Sequence, residues 1–308
     1  MTILSSEALR ASREFLEATA RPLELARFRH AFLGAPTDMV LDALGPFQND
    51  DGGFGHALEP DLRTPASSVL CTSVALQILR SLEIPTEHAF ASSSVRFLMA
   101  SLDRDQWGWR IIPQAAESSP RAPWWYQRGR EAHFEAFSLN PTAEILGYLF
   151  DYREHVEEEA VRGVSERVFR EIGRPAGLEM HELLCCLRLF KTRSLPDTCR
   201  DQLRARLNQA LPGAVAREPK EWSGYSLRPL QVADAPESPF LVGLQDAVAE
   251  NLDYEIATQN RDGSWTPTWT WDDTYPEAWA RAREEWSGVI TLDKLLTLRR
   301  FGRIEGHG

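Results

Sequence analysis

The sequence predicts an all-α protein. Apolar residues recur with a helical period in one segment after another, and no run alternates as a half-buried strand would. Ser, Thr, Asp, Pro and Gly stand at the segment ends, where helix caps are needed. At 308 residues the chain is at the upper end of what one hydrophobic core serves, and it reads as a single domain over 1–308.

Ser6 caps a first helix reaching Thr19, and Pro22 opens a second over Leu23 to Leu33 that Gly34 ends. Thr37 or Asp38 caps a short third helix, closed by Gly45-Pro46. Ala66 to Leu82, Asn140 to Tyr152, Leu178 to Phe190 and Glu285 to Phe301 are apolar around most of their circumference, as helices buried on nearly all sides are. Thr86 to Leu102, Val156 to Ile172, Pro196 to Leu211 and Leu241 to Gln259 each carry one charged face. Alternation of buried and half-exposed helices predicts concentric layers, whereas an up-and-down bundle would make every helix amphipathic. Gly108 to Leu139 and Glu218 to Pro239 have no sustained period and read as long loops.

Two windows repeat one another. Gln48-Asn49-Asp50-Asp51-Gly52-Gly53-Phe54 aligns with Gln259-Asn260-Arg261-Asp262-Gly263-Ser264-Trp265. Asp51-Gly52 and Asp262-Gly263 suit tight turns with a positive φ at glycine. The Gln amide can serve orphan groups at a helix end, and Phe54 or Trp265 can bury a flat face between helices. Weaker echoes stand at Gln106-Trp107-Gly108-Trp109 and Glu221-Trp222-Ser223-Gly224-Tyr225.

On these windows the chain resembles the terpenoid cyclase and protein prenyltransferase superfamily, whose glutamine-tryptophan repeats they are similar to. The resemblance implies an α/α toroid, an inner ring of helices inside an outer ring, complete or incomplete. Here it would span 37–308, with 1–36 as an N-terminal helical extension. It also implies that Gln48, Asp51, Gly52, Phe54, Gln259, Asp262, Gly263 and Trp265 are structural braces. The family's catalytic motifs are missing: there is no Asp-x-Asp-Asp, no Asp-Asp-x-x-Asp and no zinc-binding Asp, Cys and His in context, with Asp272-Asp273 the nearest approach.

Three polar stretches are candidate sites. Gly55 to Pro65 gathers His56, Glu59, Asp61 and Arg63 before a buried helix, where a desolvated carboxylate beside a cation could act as acid or base. On the plainer reading Asp61 and Thr64 cap that helix and Arg63 pairs with a carboxylate. Trp269-Thr270-Trp271-Asp272-Asp273 sets paired acids among aromatics, suited to protonating an alkene, steadying a carbocation or cleaving a glycosidic bond. Alternatively, Asp272 or Asp273 caps a helix. Trp124, Trp125 and Tyr126 could roof an apolar cavity or stack on a sugar, with Asn140 as a helix cap nearby. Glu144 lies in an apolar helix, where an unpaired carboxylate is costly, so it needs a partner. His181 reads as a core histidine; His30, His88, His155 and His307 carry no role.

A formal net charge of -11 disfavours nucleic acid and anionic membranes as partners. No segment reads as a signal peptide or a membrane span, and Cys185 and Cys186 sit inside an apolar run as reduced, buried thiols do, which places the protein in the cytoplasm. Neither HExxH nor CxxC occurs, nor any nucleotide-binding fingerprint, so neither metal nor cofactor is expected. The expected partner is an apolar small molecule. Three functions stay open: acid-catalysed transformation of an isoprenoid-like molecule (catalytic Glu59, Asp61, Asp272, Asp273; binding His56, Arg63, Trp124, Trp125, Glu144, Trp269, Trp271), a carbohydrate-active α/α barrel, or a non-catalytic binding module.

Overall fold

A computed structural model describes residues 1–175 and 177–306 of the chain; His307 lies outside them. Among the described residues thirteen α-helices occur and no strand, only isolated bridges. In order they are α1 (Ser6–Thr19), α2 (Pro22–Leu33), α3 (Thr37–Leu44), α4 (Val69–Ser81), α5 (Ala89–Ala100), α6 (Glu131–Glu135), α7 (Leu139–Asp151), α8 (Glu158–Ile172), α9 (Met180–Phe190), α10 (Asp197–Ala214), α11 (Pro229–Val232), α12 (Gln245–Ala257) and α13 (Pro276–Arg300). Among them, no helix is long and apolar enough to cross a membrane.

Most helices fall where the apolar period puts them, and the differences lie at their caps. Ser5 caps α1 with its hydroxyl on the Ala8 N–H, and Gly34 closes α2 at φ 69°. Pro36 precedes α3, so neither Thr37 nor Asp38 caps it. Asn140 does not cap α7 either; the Ser138 hydroxyl accepts the Asn140 N–H at 3.0 Å. α13 begins at Pro276, earlier than the apolar pattern, because its first turns are exposed and charged.

The chain forms two compact units, 1–45 with 215–308 and 46–214. In the first, α13 packs on α1 and α2, α2 on α3, and α11 on α12. In the second, α7 is central: it packs on α4, α8 and α9, with α5 against α4 and α10 across α8 and α9. Ten of the thirteen residues of α7 are buried, from Leu139 to Leu149. The backbones of α7 and α9 approach closely, and a Cβ on Gly147 would stand 2.3 Å from Thr192 Oγ1.

Each unit contains one of the repeated turns, and the two match bond for bond. Gln48 Nε2 donates to the Gly52 carbonyl at 3.0 Å and to Ser93 Oγ on α5 at 2.7 Å. Gln259 Nε2 donates to the Gly263 carbonyl at 3.0 Å and to Ser12 Oγ on α1 at 2.8 Å. Asp51 Oδ1 accepts the Gly53 N–H, and Asp262 Oδ1 the Ser264 N–H. The Phe54 N–H donates to Thr72 Oγ1 on α4, and the Trp265 N–H to Thr291 Oγ1 on α13, both at 3.0 Å. Each turn thus ties a helix that follows it to a second helix through one Thr and one Ser. In the second turn that Ser belongs to the N-terminal α1, which is therefore built into the repeat. The Gln106 echo keeps part of the pattern: Trp109 Nε1 donates to the Leu98 carbonyl of α5 at 2.7 Å, as Trp265 Nε1 does to the Glu255 carbonyl of α12 at 2.8 Å.

Candidate functional site

The stretch after the first turn leaves it in a strained conformation. His56 and Ala57 follow Gly55 with φ of 53° and 61°, a left-handed pair that non-glycine residues hold only when their surroundings impose it. Here the surroundings are visible. The His56 N–H donates to the Thr64 carbonyl at 3.0 Å and His56 Nε2 meets Asn49 Oδ1 at 2.8 Å. A Cβ on Gly55 would come within 2.4 Å of the Ala66 and Pro65 carbonyl oxygens. The segment closes on itself, and Ala57, Leu58, Asp61 and Leu62 are buried.

Two candidate stretches that are far apart in sequence meet here. Leu62 bridges Arg121, the Arg63 N–H donates to the Pro120 carbonyl at 3.1 Å, and the Ala122 N–H to the Asp61 carbonyl at 2.9 Å. This lays the loop carrying Glu59 and Asp61 beside the loop carrying Trp124 and Trp125. Asp61 is 3 % exposed and Glu59 Oε2 is closed off from solvent, while Trp124 is 38 % exposed. Asp61 does not cap α4: that helix starts at Val69, and the Ser68 hydroxyl accepts the Cys71 N–H at 3.0 Å. The Arg63 guanidinium reaches the Pro60 carbonyl at 3.3 Å.

A buried network fixes the Trp loop. Glu117 Oε2 pairs with Arg121 Nη2 at 2.6 Å, and Glu117 Oε1 accepts the Gln127 N–H at 2.5 Å. Gln127, 2 % exposed, donates through Nε2 to the Pro113 carbonyl and accepts from Arg110 Nη2. Arg121 also caps the Ala116, Glu117 and Ser119 carbonyls and stacks on Tyr126. A connected polar network of this kind rigidifies what it holds, so this long loop is a built surface.

Glu144 does have partners. Its Oε1 accepts the Tyr148 hydroxyl at 2.6 Å, and its Oε2 accepts Arg188 Nη1 of α9 at 3.0 Å and lies 3.9 Å from Cys185 Sγ. Arg80 lies over the Tyr148 ring at 4.4 Å and pairs with Asp151. Burial and the Glu144 charge push the Tyr148 phenol and the Cys185 thiol well above their ordinary values. Burial acts to lower the Arg188 guanidinium, but Glu144, Cys185 and Tyr148 together raise it above its ordinary value. Burial, then Arg188, lower His181, which keeps it neutral. With its hydroxyl, guanidinium and thiol contacts, Glu144 is the anion of an ionic core.

In the other unit, Trp269 stands edge-to-face on Trp286 at 5.2 Å and against Tyr225 at 6.4 Å, while Trp271 leans on Trp279. Asp272 and Asp273 are exposed, and Asp272 Oδ1 accepts the Thr274 N–H at 3.0 Å, just ahead of α13. The same unit also contains a charged group absent from the sequence-based candidates: Glu255 with Arg228, Lys294 and Asn251. The only signal was a Lys at helical spacing from Thr291 and Leu298 on a buried stripe.

Chemically, the Glu59–Asp61 loop offers a buried Asp61 and a part-buried Glu59 on a loop paired with the one that carries Trp124 and Trp125, and a carboxyl withdrawn from water is what acid catalysis on an apolar molecule requires. Among the described residues no group of His, Cys, Asp and Glu is placed to hold a metal ion. No protein-family model and no curated protein sequence matches the chain.

Proposed function

We propose that the chain is an α/α-toroid protein of the terpenoid cyclase and prenyltransferase type that binds an apolar, isoprenoid-like small molecule and transforms it by acid catalysis. The two matching turns support the fold part of this reading, since repeated braces joining helix pairs are what such a ring needs. The observation that carries the functional part is the Leu62–Arg121 pairing, which sets Glu59 and Asp61 beside Trp124 and Trp125. A dehydrated carboxyl keeps its proton more readily, and indole faces favour both apolar substrate and developing cation. His56 and Arg63 flank the acids. Trp269, Trp271, Asp272 and Asp273 are a secondary choice because the acids there are exposed.

The test is a titration of intrinsic tryptophan fluorescence with isoprenoid alcohols of graded length, followed by product analysis. Saturable binding, weakened by Trp124→Ala, is the expected result, with turnover lost in Glu59→Gln or Asp61→Asn while binding survives. Saturable binding with no product, and full cellular function in both acid variants, would establish a non-catalytic binding module instead. Trp124, open on its loop, also suits stacking on a sugar; binding to an oligosaccharide panel with none to isoprenoids would favour the carbohydrate-active reading.

A further inference from the structure

The unit formed by 1–45 and 215–308 contains an ionic group that the site proposed above does not use. Glu255, on α12, has 7 % of its side chain exposed. Its Oε1 accepts Arg228 Nη1 at 2.9 Å and Asn251 Nδ2 at 3.3 Å, and its Oε2 accepts the amine of Lys294 from α13. Lys294 Nζ also lies 5.7 Å from the centroid of the Trp265 ring. One carboxylate therefore serves two basic side chains and can balance the charge of only one of them. Tyr254, edge-on to Trp222, acts electrostatically on Arg228. Burial and the Arg228 charge hold the Lys294 amine well below the ordinary lysine range.

The repeat itself supplies a control. Glu255 stands four residues before Gln259, and Lys294 three after Thr291. The corresponding positions around the other turn are Leu44, four before Gln48, and Ala75, three after Thr72; both are buried and apolar. The turn is thus made without charges there, so bracing α13 to α1 does not call for Lys294 and Glu255. The choice of cation is also telling. Of 34 Lys and Arg, only Lys191, Lys220 and Lys294 are lysine, and the first two are exposed. Arginine serves the chain's other buried ion pairs, such as Arg121 with Glu117. Arginine stays charged in proteins, whereas lysine can present a free amine. Lys294 is not sealed in, since 19 % of its side chain is exposed.

We propose that Lys294 is a nucleophilic amine that captures an aldehyde or ketone as an imine, with Glu255 carrying the proton. The lone pair of Nζ forms a bond to the carbonyl carbon as the C=O π pair moves to oxygen. The Glu255 carboxylate takes one proton from nitrogen and passes it to that oxygen, giving the carbinolamine. It then takes the second nitrogen proton and delivers it to the hydroxyl as the C–O bond breaks, the C=N bond forms and water leaves; nothing is oxidised or reduced. Arg228 is a positioning residue that keeps Glu255 ionised and discourages a charge on Lys294.

Because the chain has three lysines, the test reads each one separately. The folded protein is treated at pH 7 with hexanal and cyanoborohydride, which fixes any imine as a secondary amine, and digested for peptide masses. An ordinary lysine is unprotonated about once in 2,500 molecules at pH 7. The expected result is alkylation of Lys294 at least tenfold faster than of Lys191 and Lys220, with a pH profile displaced downward and the preference lost in denaturant. Arg228→Met should move that profile back up. Labelling of Lys294 no faster than of the two exposed lysines in the native protein would overturn the proposal, whatever the variant does. The outcome does not depend on Glu59 or Asp61, so it fails or stands apart from the acid site.

Discussion

Gly52 and Gly263 occupy the same left-handed conformation, at φ 86° and 84°, each pressed against the backbone of a neighbouring helix. A Cβ on Gly52 would stand 2.5 Å from the Ser93 carbonyl oxygen of α5, and one on Gly263 2.2 Å from the Ala11 carbonyl carbon of α1. Both the dihedral and the contact exclude a side chain, and neither neighbour can swing away because both are helix backbone.

Gly52→Ala and Gly263→Ala are therefore expected to destabilise the protein by at least about 2 kcal/mol each, combining left-handed strain with a clash. Gly34→Ala is the comparison, since Gly34 is also left-handed at φ 69° but meets nothing within 4 Å. Strain alone should cost about 1 kcal/mol there. Denaturant titrations of the three variants decide the matter; equal losses would show that the turns do not clamp the helices.

Alkali should weaken the fold through its buried thiols and phenol. Burial pushes the Cys186 thiol up to about 12, and raises Cys185 and Tyr148 as well. Above pH ~9 the unfolded chain releases these protons while the folded one retains them, so stability is intact below that pH and falls above it, at up to about 1.4 kcal/mol per pH unit for each group. Cys186→Ala should flatten the stability profile between pH 9 and 11. A profile unchanged by the substitution would mean that the thiol titrates normally. A disulfide reagent should, in parallel, label the part-exposed Cys199 of the native protein ahead of Cys71, Cys185 and Cys186.

The Glu144–Arg188 pair makes a different demand. Glu144 has 2 % of its side chain exposed, whereas Arg188 has 40 %. Removing the arginine strands a buried anion, and removing the acid leaves a cation that solvent still reaches. Arg188→Met should cost about 3 kcal/mol, at the low end for breaking a buried pair, and Glu144→Leu distinctly less. Thermal or denaturant unfolding of the two single variants and the double variant measures the coupling. A larger loss from Glu144→Leu than from Arg188→Met would reverse the assignment of the buried partner.

What could be read from residues in order, and what could not, follows from where each interaction lies along the chain. The repeated turns were legible because their key contacts are local: Gln48 to Gly52, Asp51 to Gly53, and an αL glycine between. Their Ser and Thr partners were not, since Ser12 lies 247 residues from Gln259. Glu144 betrayed itself as a carboxylate in an apolar helix, yet Arg188 stands 44 residues away with nothing local to mark it. Glu255 stood out least, its two cationic partners 27 and 39 residues distant. The plainer of the two readings of Asp61, a cap on α4 shared with Thr64, fails because Ser68, nearer the first true helical turn, takes that role. The proximity of Glu59 and Asp61 to Trp124 depends on backbone pairing between two irregular loops, which carries no period.

The place of α1 leads to the last prediction. Around the first turn the order is turn, α4, α5, with Thr72 on α4 and Ser93 on α5. Around the second it is turn, α13, and then α1, with Thr291 on α13 and Ser12 on α1. The chain thus completes its second repeat with a helix from the opposite end. Leu4 pairs with Ile304, and the Leu4 N–H donates to the Arg303 carbonyl at 2.8 Å while Leu4 accepts the Glu305 N–H at 3.0 Å. A circular permutant in which a short flexible linker joins position 308 to Met1, opened in the connection between α8 and α9, places α1 after α13 as α5 follows α4. It keeps every bond of the second turn, and loop closure over so short a span costs little. The expected result is a native far-UV circular dichroism spectrum and a melting temperature near that of the parent. The same permutant carrying Ser12→Ala and Gln259→Ala should lose stability by the amount those substitutions cost in the original order. A permutant that fails to fold when opened there would show that α1 must be present early, as a nucleus, and is not interchangeable with a C-terminal helix.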